Sequence, residues 1–177
     1  MGAVTVSLSL LHALDSAWDP LVARLRDISG AEYAWEPAAG CWIVRALDGG
    51  WQADWADPDP DPAPVTTIAW RCWHVAVDCL DSYSARLFEA TGTGLAATAW
   101  VGDPAGALTL MERAWSVFRG GVAGWDEARL QEPLGPAWGP FATSTHLDLA
   151  LHALREIVHH GAEIALLRDL YGHRAAP

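Results

Sequence analysis

Hydrophobic positions early in the chain fall at alternating steps of three and four: Leu11, Leu14, Trp18, Leu21, Leu25 and Ile28. That spacing marks one face of an α-helix and predicts a helix over about residues 5–29, with Gly30 as its stop. From 31 to 64 the pattern vanishes. This stretch holds Trp35, Trp42, Trp51 and Trp55, glycines at 40, 49 and 50, and the run Asp57-Pro-Asp-Pro-Asp-Pro. Alternating proline excludes helix and favours an extended connector, so a long loop is expected here. Periodicity returns behind the cap Thr66-Thr67 and predicts a helix over about 66–90. Trp70, Trp73, Val77, Leu80, Ser84, Leu87 and Phe88 fall within about 120° of one another at 100° per residue, which is a core face.

A glycine-rich break is expected at 91–94. Asp103-Pro104 then reads as an N-cap with proline at the first helical position, opening a helix over about 103–119 that Gly120-Gly121 closes. A short helix near 126–130 leads into a loop rich in proline and glycine. Thr143, Ser144 and Thr145 offer caps for a last helix over about 145–171, with Gly172 as terminator. Four helices, no alternating strand pattern and no internal repeat predict an all-α four-helix bundle. At 177 residues, one domain spanning 1–177 is expected. The loops after the first and third helices are long enough to cross the bundle.

Composition narrows the chemistry. All 11 basic residues are arginine, and lysine and asparagine are absent, which fits a GC-rich bacterial gene. Without lysine there is no Schiff-base lysine, no Walker P-loop and no lysine-based polybasic anchor. A net charge of -11 argues against nucleic acid as a partner, because binding it rests on neutralising phosphates. The first residues lack a basic region and a cleavage site, and no apolar run is long enough to span a membrane. Cys41, Cys72 and Cys79 form no CxxC, so a reduced, cytoplasmic protein is expected.

Four of the seven histidines lie in or beside the last helix: His146, His152, His159 and His160. Glu156 and His160 stand one turn apart, about 40° from each other on the helical wheel, so both side chains reach one point. E-x-x-x-H is either half of a divalent-metal site or a surface ion pair. His159 points about 100° away from His160 and reads as a solvated neighbour. His74, at the border of the second helix's apolar face with Asp78 one turn on, is either a third ligand or a core-edge histidine bonded to an acid. No cysteine falls at the site by wheel position. The loop tryptophans either form a lid over the open end of the bundle or pin the loop as a satellite core.

Thr66-Thr-Ile-Ala-Trp-Arg-Cys-Trp-His-Val, with Arg155-Glu-Ile-Val-His-His-Gly-Ala-Glu-Ile-Ala-Leu-Leu-Arg-Asp-Leu-Tyr171 about 80 residues later, resembles the DinB/YfiT-like superfamily over essentially the whole chain. The resemblance implies a bundle of up-down-down-up topology, often dimeric, holding a divalent metal, with zinc expected ahead of nickel or manganese. The family's common H-x-x-x-H has Glu156 at its first position here, which is similar to the mycothiol-dependent maleylpyruvate isomerase branch, and implies His74, Glu156 and His160 as ligands. It further implies a thiol transferase or isomerase acting on a small electrophile with a low-molecular-weight thiol, mycothiol or bacillithiol. Arg71 and Arg168 are then candidates for binding the thiol cofactor or a substrate carboxylate. A metal-activated hydrolase and a metal-free binding module with a tryptophan-lined pocket are the alternatives.

Overall fold

The computed structural model describes residues 5–58, 60–88 and 99–174. The expected break at 91–94 and the end of the second predicted helix lie outside them. The chain is mostly helical. Thr5 caps α1 (Val6–Leu25) by accepting a hydrogen bond from the Leu8 amide, and α1 buries Leu10, Leu14, Trp18 and Leu21. Thr67 caps α3 (Ile68–Trp73) in the same way. That helix runs without a break through a wide-turn segment, His74–Asp81, into α4 (Ser82–Leu87). Asp103 caps α5 (Pro104–Ala123), Asp126 caps the short α6 (Glu127–Gln131), and Thr145 opens the 28-residue α7 (His146–His173) with a reciprocal capping box to Asp148. The long helix α7 packs along α1 and against the wide-turn segment, while α5 closes on α1 and on the other side of that segment. Met111, Phe118, Ile157 and Ile164 are among the side chains fully enclosed between them.

The stretch 31–64 is more ordered than its proline content predicts. Gly30, expected as a stop, begins the single-turn helix α2 (Gly30–Tyr33), which Ser29 caps. Strands β1 (Val44–Leu47) and β2 (Gly50–Ala53) pair antiparallel, with Leu47 opposite Gly50. The two-residue Asp48-Gly49 connection carries the sequence signal for this hairpin, since a tight turn needs positive φ and Gly49 supplies 104°. Trp42 exchanges backbone hydrogen bonds with the entrance to α3: its amide donates to the Val65 carbonyl, and its carbonyl accepts from Thr67. The Trp70 indole donates to the Asp54 carbonyl at 2.7 Å. Between them these bonds fasten the loop to the helix that carries His74.

Two departures within the long helices have physical causes. Residues 74–81 adopt π-type turns instead of the regular 3.6-residue period, closing hydrogen bonds from i to i+5. Helix α5 also passes through Gly120-Gly121 to end at Ala123. Gly121 is a notch here: a Cβ at this position would lie 2.3 Å from the tip of the Phe88 ring. Gly121→Ala is expected to lower stability by about 1–3 kcal/mol through overpacking, measured by denaturant unfolding. Phe88→Ala in the same background should remove most of that additional cost, which a double-mutant cycle will report.

Candidate metal centre

One rigid rod and one wide turn bring the key side chains together. Helix α7 presents Glu156 and His160 on the same side, and the first residue of the π-type segment, His74, faces them. Glu156 Oε2 lies 3.4 Å from His74 Nε2 and 3.3 Å from His160 Nε2. One ligating atom from each of the three falls within 4.8 Å of the others. Donors on a tetrahedral zinc with bonds of about 2.0–2.1 Å stand about 3.3–3.4 Å apart, so two edges already have that spacing. The residues fit a divalent ion.

The atoms behind these donors are spoken for, and this fixes their aim. His160 Nδ1 meets Glu163 Oε2 at 2.7 Å, and Arg71 forms an ion pair with the same carboxylate. His74 Nδ1 lies 3.0 Å from Asp78 Oδ2, a charge contact off the hydrogen-bond line. The His74 ring also stacks on Trp70, centroids 5.1 Å apart and planes 11° from parallel. Carboxylates behind both imidazoles orient Nε2 towards the centre, as the outer partners of metal-bound histidines commonly do. Burial alone would depress His74, but Asp78 and Glu156 outweigh it and raise its pKa to about 9. His160 and His74 hold the Glu156 carboxyl far below its ordinary range against the effect of its burial. Three carboxylates around two imidazoles make a setting that favours a cation.

A cavity of about 310 Å³ opens on this centre, lined by His74, Asp78, Cys79, Tyr83, His152 and Glu156 among others. The Tyr83 hydroxyl stands 3.0 Å from His152 Nδ1, and burial pushes the pKa of that phenol up. His152 then turns Nε2 towards Glu156 Oε1, 3.5 Å away. His152, noted in the sequence only as one of the last helix's histidines, stands one turn before Glu156, whereas Tyr83 gains its place only when α4 meets α7. Cys79 is also in the wall, contrary to the regular helical wheel, because the wide turn carries residue i+5 from His74 onto nearly the same face. Its thiol is buried, and burial together with the Glu156 charge pushes its pKa well up.

The other candidates divide. Arg71 reaches the centre both through Glu163 and directly, its guanidinium 3.1 Å from His160 Nδ1, whereas Arg168 pairs with Glu32 at 2.6 Å and donates to the Arg24 carbonyl, tying α7 to the end of α1. His159 is exposed, bonded to Glu163 at 3.2 Å and stacked on His160. Of the loop tryptophans, Trp42 and Trp55 pack on Trp70 and Trp73, with centroids 5.5 and 5.9 Å apart, and Trp35 meets Tyr171 edge-on. Trp42 and Trp55 thus brace the His74 helix from behind.

The sequence model of the DinB superfamily matches residues 13–164. The chain belongs to the DinB superfamily. A crystal structure described as the conserved protein of locus from Enterococcus faecalis is similar in fold to this DinB chain, with a TM-score of 0.58. It is 15% identical, covering 97% of this chain and 100% of that one, and at such identity the likeness speaks for fold alone. No curated protein matches the chain in sequence. For this DinB centre, Glu163→Gln is expected to weaken metal binding by about 10–100-fold through loss of the carboxylate behind His160, read by competition against a chromophoric chelator.

Proposed function

We propose that this DinB-superfamily protein is a divalent-metal-dependent enzyme that joins a low-molecular-weight thiol to a small electrophile, as a transferase or isomerase. The observation that carries the reading is a three-donor centre beside a cavity whose own thiol, Cys79, is buried and kept protonated. A nucleophile for this cavity therefore comes from outside the chain, as a thiol or as water. Resemblance to the mycothiol-dependent branch in the His, Glu, His set favours the thiol. A divalent ion held by His74, Glu156 and His160 would supply a Lewis acid that lowers the pKa of a thiol placed against it. The chain's residues do the rest: Asp78 and Glu163 orient the imidazoles, His152 steadies Glu156, and Tyr83 holds His152 in place. Arg71 holds Glu163 in place and is the better placed of the two arginines to meet an anionic group near the centre.

The same reading takes the four long helical runs as a single-domain four-helix bundle of up-down-down-up topology, working as a cytoplasmic homodimer. Zinc is favoured over nickel or manganese by the mixed imidazole and carboxylate donors. Among the described residues no helix is long and apolar enough to cross a membrane.

Protein purified without a histidine tag is expected to carry about one zinc per chain, and His160→Ala is expected to lose it, as elemental analysis will show. Metal retained by His160→Ala would remove the site assignment. Turnover of an electrophile panel should require mycothiol or bacillithiol. Equal rates without thiol would replace the transferase reading with a hydrolase, and a protein that binds no metal would leave a binding module.

A further inference from the structure

A second cavity, of about 550 Å³, adjoins the metal-side cavity and shares Tyr83, Arg86 and His152 with it. Its volume lies in the range of small-molecule sites. The walls come from the loop before α7 and from the first turns of α7. Trp138 sits in a 3₁₀ turn, Pro136–Phe141, which Gly139 shapes with φ of 55°. Phe141 and Leu151 face the space while remaining 64% and 46% exposed. Large apolar side chains held at a cavity without a protein partner mark a surface that a ligand can cover.

Charge around the cavity is asymmetric. Arg86 and Arg155 both line it, and of the two Arg155 also reaches Glu156 Oε1 at 3.3 Å, which leaves Arg86 as the cation turned to the cavity. The Arg86 guanidinium lies over the face of Trp138, 5.0 Å from the ring centroid. The one carboxylate in the lining, Asp148, is committed to the α7 capping box, where it accepts from the Thr145 amide and hydroxyl at 2.8 and 2.9 Å. A guanidinium presents a planar fork matched to a carboxylate. Tyr83 and His152 form the common wall, so a molecule seated between Trp138 and Phe141 has its inner end against His152 and, through it, Glu156.

We propose that this chamber is the electrophile-binding site and that its ligand class is an aromatic carboxylate, with the ring between Trp138 and Phe141 and the anion at Arg86. The inference rests on reading the His74, Glu156 and His160 cluster as the reactive centre. The site itself is testable without it.

Binding of 2-naphthoate, with 2-naphthylmethanol as the uncharged control, is to be measured by titration calorimetry on wild type and on His160→Ala. Naphthoate should bind both proteins, and at least tenfold more tightly than the alcohol. Arg86→Gln should weaken naphthoate about tenfold and leave the alcohol unchanged. Phe141→Ala, at a position 64% exposed, should weaken both ligands about tenfold. Leu151→Glu should reduce naphthoate binding more than alcohol binding. Failure of naphthoate to bind metal-loaded wild type, or binding indifferent to Arg86→Gln and Phe141→Ala, would overturn the chamber and leave the metal centre standing. Sensitivity to those variants in a protein that carries no metal and turns nothing over would support the chamber while the metal-dependent reading fails.

Discussion

The Glu156 carboxylate is the constraint around which this end of the molecule is organised. Its side chain is only 13% exposed, and a charge so enclosed persists only when donors surround it. It has them on every side: His74 from the wide-turn segment, His160 one turn along its own helix, His152 one turn before, and the Arg155 guanidinium at 3.3 Å. Each partner is held in turn from behind, by Asp78, Glu163 or Tyr83. The bundle supplies rigidity for this arrangement, since Ala153, Ile157 and Ile164 on the adjoining stripe of α7 are completely enclosed.

What could be read from the sequence follows the range of the interactions. The face of α1 was legible because helix periodicity is local: Leu14, Trp18 and Leu21 are buried as their spacing predicts. The pairing of Glu156 with His160 is also local. Convergence of His74 on that pair came from resemblance rather than from any rule of spacing, because it joins positions 82 residues apart. The hairpin at 44–53 was hidden by its surroundings: its strands are short and mostly exposed, so no alternation of apolar residues announces them. Gly121 was legible as a glycine but not as a notch, because the reason for it is Phe88 on another helix. The same holds for Arg168, whose partners lie at the ends of α1 and α2.

The tryptophan excess now has a mechanical meaning. Trp42, Trp55, Trp70 and Trp73 form a connected group, and its inner member stacks directly on the His74 imidazole. Aromatic packing of this kind restricts ring rotation with few rotatable bonds to freeze. The long loop thus stiffens the His74 side of the candidate metal centre from outside.

The wide turn at 74–81 leaves the chain no slack in length. Between His74, which must face α7, and Ser84, which is fully enclosed, the helix fits one particular number of residues. Removing a single residue while the wide turn persists would swing everything after it by roughly a quarter turn. Tyr83 would then leave the cavity wall and Ser84 the interior, so this segment is constrained in its length as well as in the identity of its residues.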